Sequence, residues 1–188
     1  MSLINRGQLQ HALREYSSSF KEELAFREDF LDLLEANTCY QRDHLPGHIT
    51  GSAWIVDETI SHVVMLHHGK LNKWLQPGGH ADGDENIFRV ALREAEEETG
   101  ITTVNLVQHG IFDLDIHPIP EHKNFPEHLH FDVRFIFTAS GKQPLTCSDE
   151  SHELKWVPLK EVELLTDHST SISRMVQKTL LLARSNQR

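Results

Sequence analysis

The sequence predicts an α/β protein, a three-layer α/β/α sandwich around a mixed sheet, preceded by a helical extension. Three observations predict it. Helical periodicity fills residues 1–45 and returns in two later segments. Alternating and β-branched runs occupy most of the chain between them. His44-Leu45-Pro46-Gly47 separates the two patterns, because Pro and Gly punctuate regular structure. Strands combined with helices on either side bury their apolar surfaces as layers. The division expected is a helical extension over 1–45 and an α/β domain over 46–188, including a C-terminal helix.

In the extension, Leu9, Leu13 and Tyr16 share one face of a first helix. Ser19 followed by Glu22 has the spacing of a capping box and is expected to open a second helix. Phe20, Leu24, Phe30, Leu31 and Leu34 give that helix a broad apolar surface. Packing as an added layer is the expected use of these helices, with a lid or a homodimer contact as the other readings. Strands are expected near 48–56, 61–67, 104–117, 127–139 and 153–157, separated by short polar turns. The final helix, about 169–184, carries Ile172, Met175, Val176, Leu180 and Leu181.

The segment from Asp84 to Thr99 lacks Pro and Gly and is rich in Ala, Arg and Glu. Ile87, Val90, Ala91 and Ala95 recur at helical spacing, so it is an amphipathic helix. Asp82 or Asp84 is expected to cap its start, and Gly100 to close it. Glu94, Glu97 and Glu98 then share one face. Like charges repel at that spacing, and anions at a helix C-terminus oppose the macrodipole. A divalent cation among the carboxylates explains why a sequence tolerates both costs. Hard carboxylate oxygens suit Mg2+ or Mn2+.

The same region reads Gly79, five residues, Glu85, seven residues, then Arg93-Glu94-Ala95-Glu96-Glu97-Glu98-Thr99-Gly100-Ile101. It resembles the Nudix signature, G-x5-E-x7-R-E-U-x-E-E-x-G-U with U aliphatic, at every fixed position. The resemblance covers about residues 48–165 and implies the Nudix form of the sandwich. It implies that Glu94, Glu97 and Glu98 bind metal and that Arg93 orients Glu94 or its neighbours. It also implies that Gly79 brings its backbone carbonyl near the metal and that Glu85 holds the loop to the helix through Arg93. The implied reaction is attack of water on a phosphorus of a diphosphate, assisted by Mg2+ or Mn2+.

Three further groups of residues bear on the site. Trp74-Leu75-Gln76-Pro77-Gly78-Gly79-His80 resembles the W-x-x-P-G-G stretch common in that superfamily. Trp74 is read there as a packing residue beside the site or, alternatively, a stacking platform. His80 is weighed with His117, His122, His128, His130 and His152 as a histidine constellation, since fourteen histidines are many for 188 residues. Along 128–135 the alternation is strict, with His128, His130, Asp132 and Arg134 on one side and Leu129, Phe131, Val133 and Phe135 on the other. The polar row could line a substrate pocket, face solvent, or bind a second metal such as Zn2+ through His128, His130 and Asp132. Late in the chain, 149–159 resembles the superfamily's E-x-x-E-L-x-W segment. Glu150 is preferred over Glu153 there as an added ligand or general base.

Composition limits the partners. A formal charge of −10 argues against non-specific binding to nucleic-acid backbones or anionic membranes. It leaves a small phosphoanhydride substrate open, because bound metal reverses the local sign. No apolar run reaches the length of a membrane span, and the first residues lack a signal-peptide core. Two cysteines, Cys39 and Cys147, make no disulfide framework, which suits a reducing, cytoplasmic setting. The expected activity is Mg2+- or Mn2+-dependent hydrolysis of a diphosphate linkage in a nucleoside diphosphate derivative or related small molecule. The alternative is a regulatory module of the same fold that holds a nucleotide without hydrolysing it. An isopentenyl diphosphate isomerase reading fails, since neither cysteine stands on a strand before the metal helix.

Overall fold

The computed structural model describes residues 5–122 and 125–185. Helices α1 (Arg6–Arg14) and α2 (Lys21–Leu33) precede strands β1 (Gly47–Asp57), β2 (His62–His68), β3 (Lys73–Leu75) and β4 (Gly78–His80). Helix α3 (Ile87–Thr99) leads to β5 (Asn105–Leu106), β6 (Asp113–Ile119), β7 (His128–Ala139) and β8 (Ser151–Pro158). Helices α4 (Leu159–Leu165) and α5 (Thr170–Ser185) end the chain. The eight strands form one curled, mixed sheet in the order β3-β2-β1-β7-β5, with β4 beside β1, β6 beside β7 and β8 beside β2. The α/β fold class with helices ahead of the sheet is therefore as expected. No helix among the described residues is long and apolar enough to cross a membrane.

The chain forms two compact units, and β1, α3 and β7 each run through both. The first gathers Met1–Ser52, Gly78–Glu94 and Gln108–Phe135. Leu9, Leu13, Phe30, Ile49, Ile87, Leu114, Phe131 and Val133 are buried in it. Phe30 of α2 meets Phe131 of β7 edge to face at 5.2 Å, so the extension packs on strands as an added layer. The second unit gathers Ala53–Pro77, Ala95–Val107 and Ile136–Arg188. Its buried Trp54 donates from Nε1 to Thr179 Oγ1 at 2.9 Å, and Thr179 in turn donates to the Met175 carbonyl at 2.7 Å. This satisfies the one polar group of a fully buried indole.

Several expectations are corrected. Ser19 and Glu22 form no capping box: Phe20 is the N-cap of α2 and makes no side-chain cap. Ser18 takes the local role, accepting from Phe20 N at 3.0 Å and bonding to Glu23. Glu23 turns fully inward, where it accepts from Tyr16 Oη at 2.6 Å and from Leu114 N at 3.0 Å. The long strand expected over 104–117 breaks into β5 and β6, with Gly110 at φ 88° in the interruption. Strands β3 and β4 and helix α4 were not expected. Neither Asp82 nor Asp84 caps α3; Asn86 does, accepting from Arg89 N at 3.1 Å. Asp84 instead accepts from Asn86 N and pairs with Arg89. Gly100 closes the helix as expected, at φ 73° with its N–H on the Glu96 carbonyl.

Candidate active site

Helix α3 forms because its apolar residues Ile87, Val90, Ala91 and Ala95 are buried along one stripe. That fixes the direction of its acidic face. Glu94, Glu97 and Glu98 occupy successive positions of one helical turn, with Glu97 exposed and Glu98 buried. In the first unit, Arg93 Nη2 lies 2.9 Å from Glu94 Oε1 and donates to the His80 carbonyl at 2.8 Å. Arg93 thus ties the Glu94 carboxylate to the end of β4.

Strand β4 is placed by antiparallel pairing with β1: Thr50 opposite His80, Gly51 opposite Gly79, Ser52 opposite Gly78. Successive residues of a strand face opposite sides. Gly51 and Gly79 face α3. A Cβ on Gly51 would stand 2.9 Å from the Ile87 carbonyl oxygen, and one on Gly79 only 2.5 Å from Glu94 Oε1. Gly79 is needed because Glu94 occupies the space a side chain would take.

Their neighbours face the other way. On that side Asp132 accepts from Ser52 Oγ at 2.8 Å and from Thr50 Oγ1 at 3.1 Å. Arg134 spans three carboxylates, with Nε 2.7 Å from Asp132, Nη1 3.1 Å from Asp113 and Nη2 3.0 Å from Asp115. Burial works against the guanidinium charge, but Asp115, Asp132 and Asp113 outweigh it and push the Arg134 pKa up. Asp115 also meets His117 Nδ1 at 2.9 Å. The row His128, Asp132, Arg134 is buried, so the solvent-facing reading of that strand face is overturned.

Next to this network lies a cluster of imidazoles. The His48 ring stacks on His128 at 5.0 Å and meets His130 at 4.9 Å and His80 at 5.1 Å. His117 borders His130 at 5.6 Å. Burial, reinforced by His80 and His128, lowers the His48 pKa to about 4. Burial and the four surrounding histidines lower that of His130 to about 2. Both rings are therefore neutral near pH 7. The His44 backbone faces His48 without reaching hydrogen-bond geometry.

Trp74, Glu150 and His152 lie in the second unit, together with Glu97 and Glu98, whereas Glu85 and His122 lie in the first. Trp74 on β3 stacks on His67 at 5.1 Å and carries Lys155 Nζ 4.2 Å from its ring centroid. Glu150 is exposed in the turn before β8, 4.0 Å from Lys70 Nζ, and its carbonyl accepts from Gly69 N. His152 meets His67 at 5.5 Å. His122 stands beside residues outside the described set and bridges to Phe125. Glu85 does not pair with Arg93: its partner is Arg6 of α1, at 3.0 Å. Sequence reasoning missed His48 and the inward-facing Glu23. The alternation His48-Ile49-Thr50-Gly51-Ser52 carried a signal for the former.

Residues 48–179, more than half of the chain, match the NUDIX domain, so the chain belongs to the NUDIX family. It is 30% identical over 132 residues to a nucleoside triphosphate pyrophosphatase/Nudix hydrolase fusion protein of Bifidobacterium longum, covering 65% of this chain and 25% of that one. It is 35% identical over 133 residues to the CMP-5'-(N-acetyl-N-hydroxy-3-aminopropyl)phosphonate hydrolase of Streptomyces rubellomurinus, covering 65% of this chain and 59% of that one. The chain thus spans less than two thirds of these relatives' length. Among solved structures, a NUDIX-family hydrolase from Clostridium perfringens shares the fold with TM-score 0.54 and 24% identity, over 72% of this chain and 97% of that one.

Proposed function

We propose that this protein hydrolyses a diphosphate linkage in a nucleoside diphosphate derivative or related small molecule, using Mg2+ or Mn2+ held by Glu94, Glu97 and Glu98. The observation that carries the reading is the approach of the Glu94 carboxylate to Gly79, where any Cβ would collide with it. A carboxylate seated against bare backbone leaves room for a cation between side-chain and main-chain oxygens. The donor set is all oxygen, which suits a hard ion. Bound there, the ion would neutralise phosphate charge and make water a better nucleophile.

The protein's own residues do the rest. Arg93 holds Glu94 in place and anchors it to β4 through the His80 carbonyl. Glu150, exposed and close to Lys70, is the base candidate that takes a proton from water. Trp74 and His80 are the substrate-side candidates, Trp74 presenting a half-exposed ring. Asp132 is a positioning residue, since Thr50, Ser52 and Arg134 engage it. The complete set of Arg93, Glu94, Glu97 and Glu98 favours hydrolysis over mere nucleotide holding.

A panel of nucleotide sugars, dinucleoside polyphosphates, nucleoside triphosphates and CMP-linked compounds tests the proposal. Turnover is read as phosphate released after phosphatase treatment. Activity is expected with millimolar Mg2+ or Mn2+, lost in EDTA and restored by added Mg2+. Full hydrolysis in EDTA would overturn the reading.

A further inference from the structure

We infer that His48, His128 and His130 form a second metal site, one for a borderline transition ion such as Zn2+, separate from the carboxylates of α3. One ring nitrogen from each residue falls within 4.8 Å of the other two. Both ring nitrogens of His48 and Nε2 of His130 are buried and lack a hydrogen-bond partner. Buried polar atoms are normally satisfied, and such a gap in three neighbouring atoms calls for an explanation. A cation accounts for two of the three, taking the lone pair of His130 Nε2 and that of one His48 nitrogen, while the other His48 nitrogen keeps its proton on the side of the His44 backbone. His128 is already oriented for this: its Nδ1 lies 2.9 Å from the Pro126 carbonyl, which leaves Nε2 to face the set. Fixing one imidazole nitrogen to a carbonyl so that the other ligates is the usual outer-shell arrangement of metal-bound histidine.

Strand alternation separates this site from the carboxylates. Gly79 faces Glu94, whereas the ring of the next residue, His80, packs on His48 and His130. The donors separate the two sites chemically as well. Three imidazoles suit Zn2+, Co2+ or Ni2+ and bind Mg2+ poorly. Tetrahedral zinc with Zn–N near 2.0–2.1 Å needs donors about 3.3 Å apart, so side-chain adjustment on the order of 1 Å closes the set. Three protein donors leave the fourth position for water or a ligand atom. The ion would join the start of β1 to the start of β7.

The test uses the full chain stripped of metal and titrated with Zn2+ alone by calorimetry. A triple variant, Glu94→Gln with Glu97→Gln and Glu98→Gln, removes the carboxylate site. In that background one Zn2+ per chain is expected, and adding His48→Gln or His130→Gln should weaken it at least ten-fold. Co2+ in place of Zn2+ should give visible d–d absorption that the histidine variants lose. If His48→Gln does not fold, His130→Gln and the rise in Tm on adding Zn2+ to the triple variant supply the same comparison. No zinc bound by the triple variant, or binding that both histidine changes leave intact, overturns the inference. These readouts do not involve turnover, so a failure of the hydrolase reading would leave them unchanged.

Discussion

The two faces of the β1–β4 pair differ in chemistry although their residues alternate one by one. The Gly51–Gly79 face presents bare backbone to α3 and its carboxylates. The Thr50–His80 and Ser52–Gly78 face presents hydroxyls and imidazoles to a buried ionic network. One side offers hard oxygen donors near a helix end and a partly exposed surface. The other offers nitrogen donors, His48 and His128 among them buried, and one buried guanidinium among three buried aspartates. The difference teaches that a strand's two-residue period can hold two chemically unlike sets of groups a residue apart without mixing them. Function should be sensitive on the first face, and stability on the second.

The largest expected effect lies on the carboxylate face. Glu97→Gln and Glu98→Gln each remove one anionic oxygen and keep the shape. Turnover should fall on the order of 10²-fold or more, as for loss of a principal electrostatic stabiliser. Folding by circular dichroism should be unchanged, and metal-free Tm level or higher, because like-charge repulsion is relieved. Near-wild-type turnover by both variants would break the comparison at once.

The second effect belongs to the other face. Arg134→Met deletes the guanidinium that bridges Asp113, Asp115 and Asp132 and leaves these three buried carboxylates without it. Breaking a buried ion pair by removing one partner costs about 3–5 kcal/mol. Denaturant unfolding should show that loss. A variant as stable as wild type would mean the network is wet and the face is not the stability side.

What the sequence disclosed follows the same divide. The carboxylate face was readable because it is local: Ile87, Val90, Ala91 and Ala95 set the helix, and the box fixes the acidic positions within it. The alternation of His128, His130 and Asp132 was readable too. Its burial was not, since that depends on His48, Thr50 and Ser52 from β1 and on Asp113 and Asp115 from β6, all distant in sequence. Strand β4 escaped because Gly-Gly-His has no pattern of its own and is a strand only through its pairing with Thr50–Ser52. The caps failed for a similar reason. Several residues near each helix start are good cap formers, and side-chain partners such as Arg42 for Asp82 and Arg89 for Asp84 decide between them.

Two adjacent glycines sharpen the comparison further. A Cβ on Gly78 would lie 2.1 Å from Ser52 Oγ and 3.0 Å from Ser52 Cα, so backbone must move. Gly78→Ala should cost about 1–3 kcal/mol, as overpacking does. The three atoms nearest a Cβ on Gly79 all belong to the carboxylate end of Glu94, which can swing away. Gly79→Ala should keep Tm within a few degrees and lower turnover on the order of 10- to 10²-fold, through misplacement of Glu94. Paired Tm and turnover measurements on the two variants decide it; the reverse pattern would exchange the roles of the faces.

The smallest expected effect separates Glu85 from the three glutamates of α3, although all four belong to one signature. Glu85 pairs with Arg6 at 3.0 Å, and its side chain is 43% exposed. An exposed pair of this kind contributes about 0–1 kcal/mol. Glu85→Gln should therefore lower stability by no more than that and change turnover only a few-fold. Arg6→Ala should cost more than Glu85→Gln, because Arg6 also donates to the Ala36 and Asn37 carbonyls at 3.1 and 2.9 Å and lies over the Tyr40 ring. The asymmetry marks Arg6 as the residue that ties α1 to the loop after α2, with Glu85 as one partner among several. Turnover of Glu85→Gln as low as that of Glu97→Gln would place Glu85 with the three glutamates of α3 and extend the functional face back into the loop before α3.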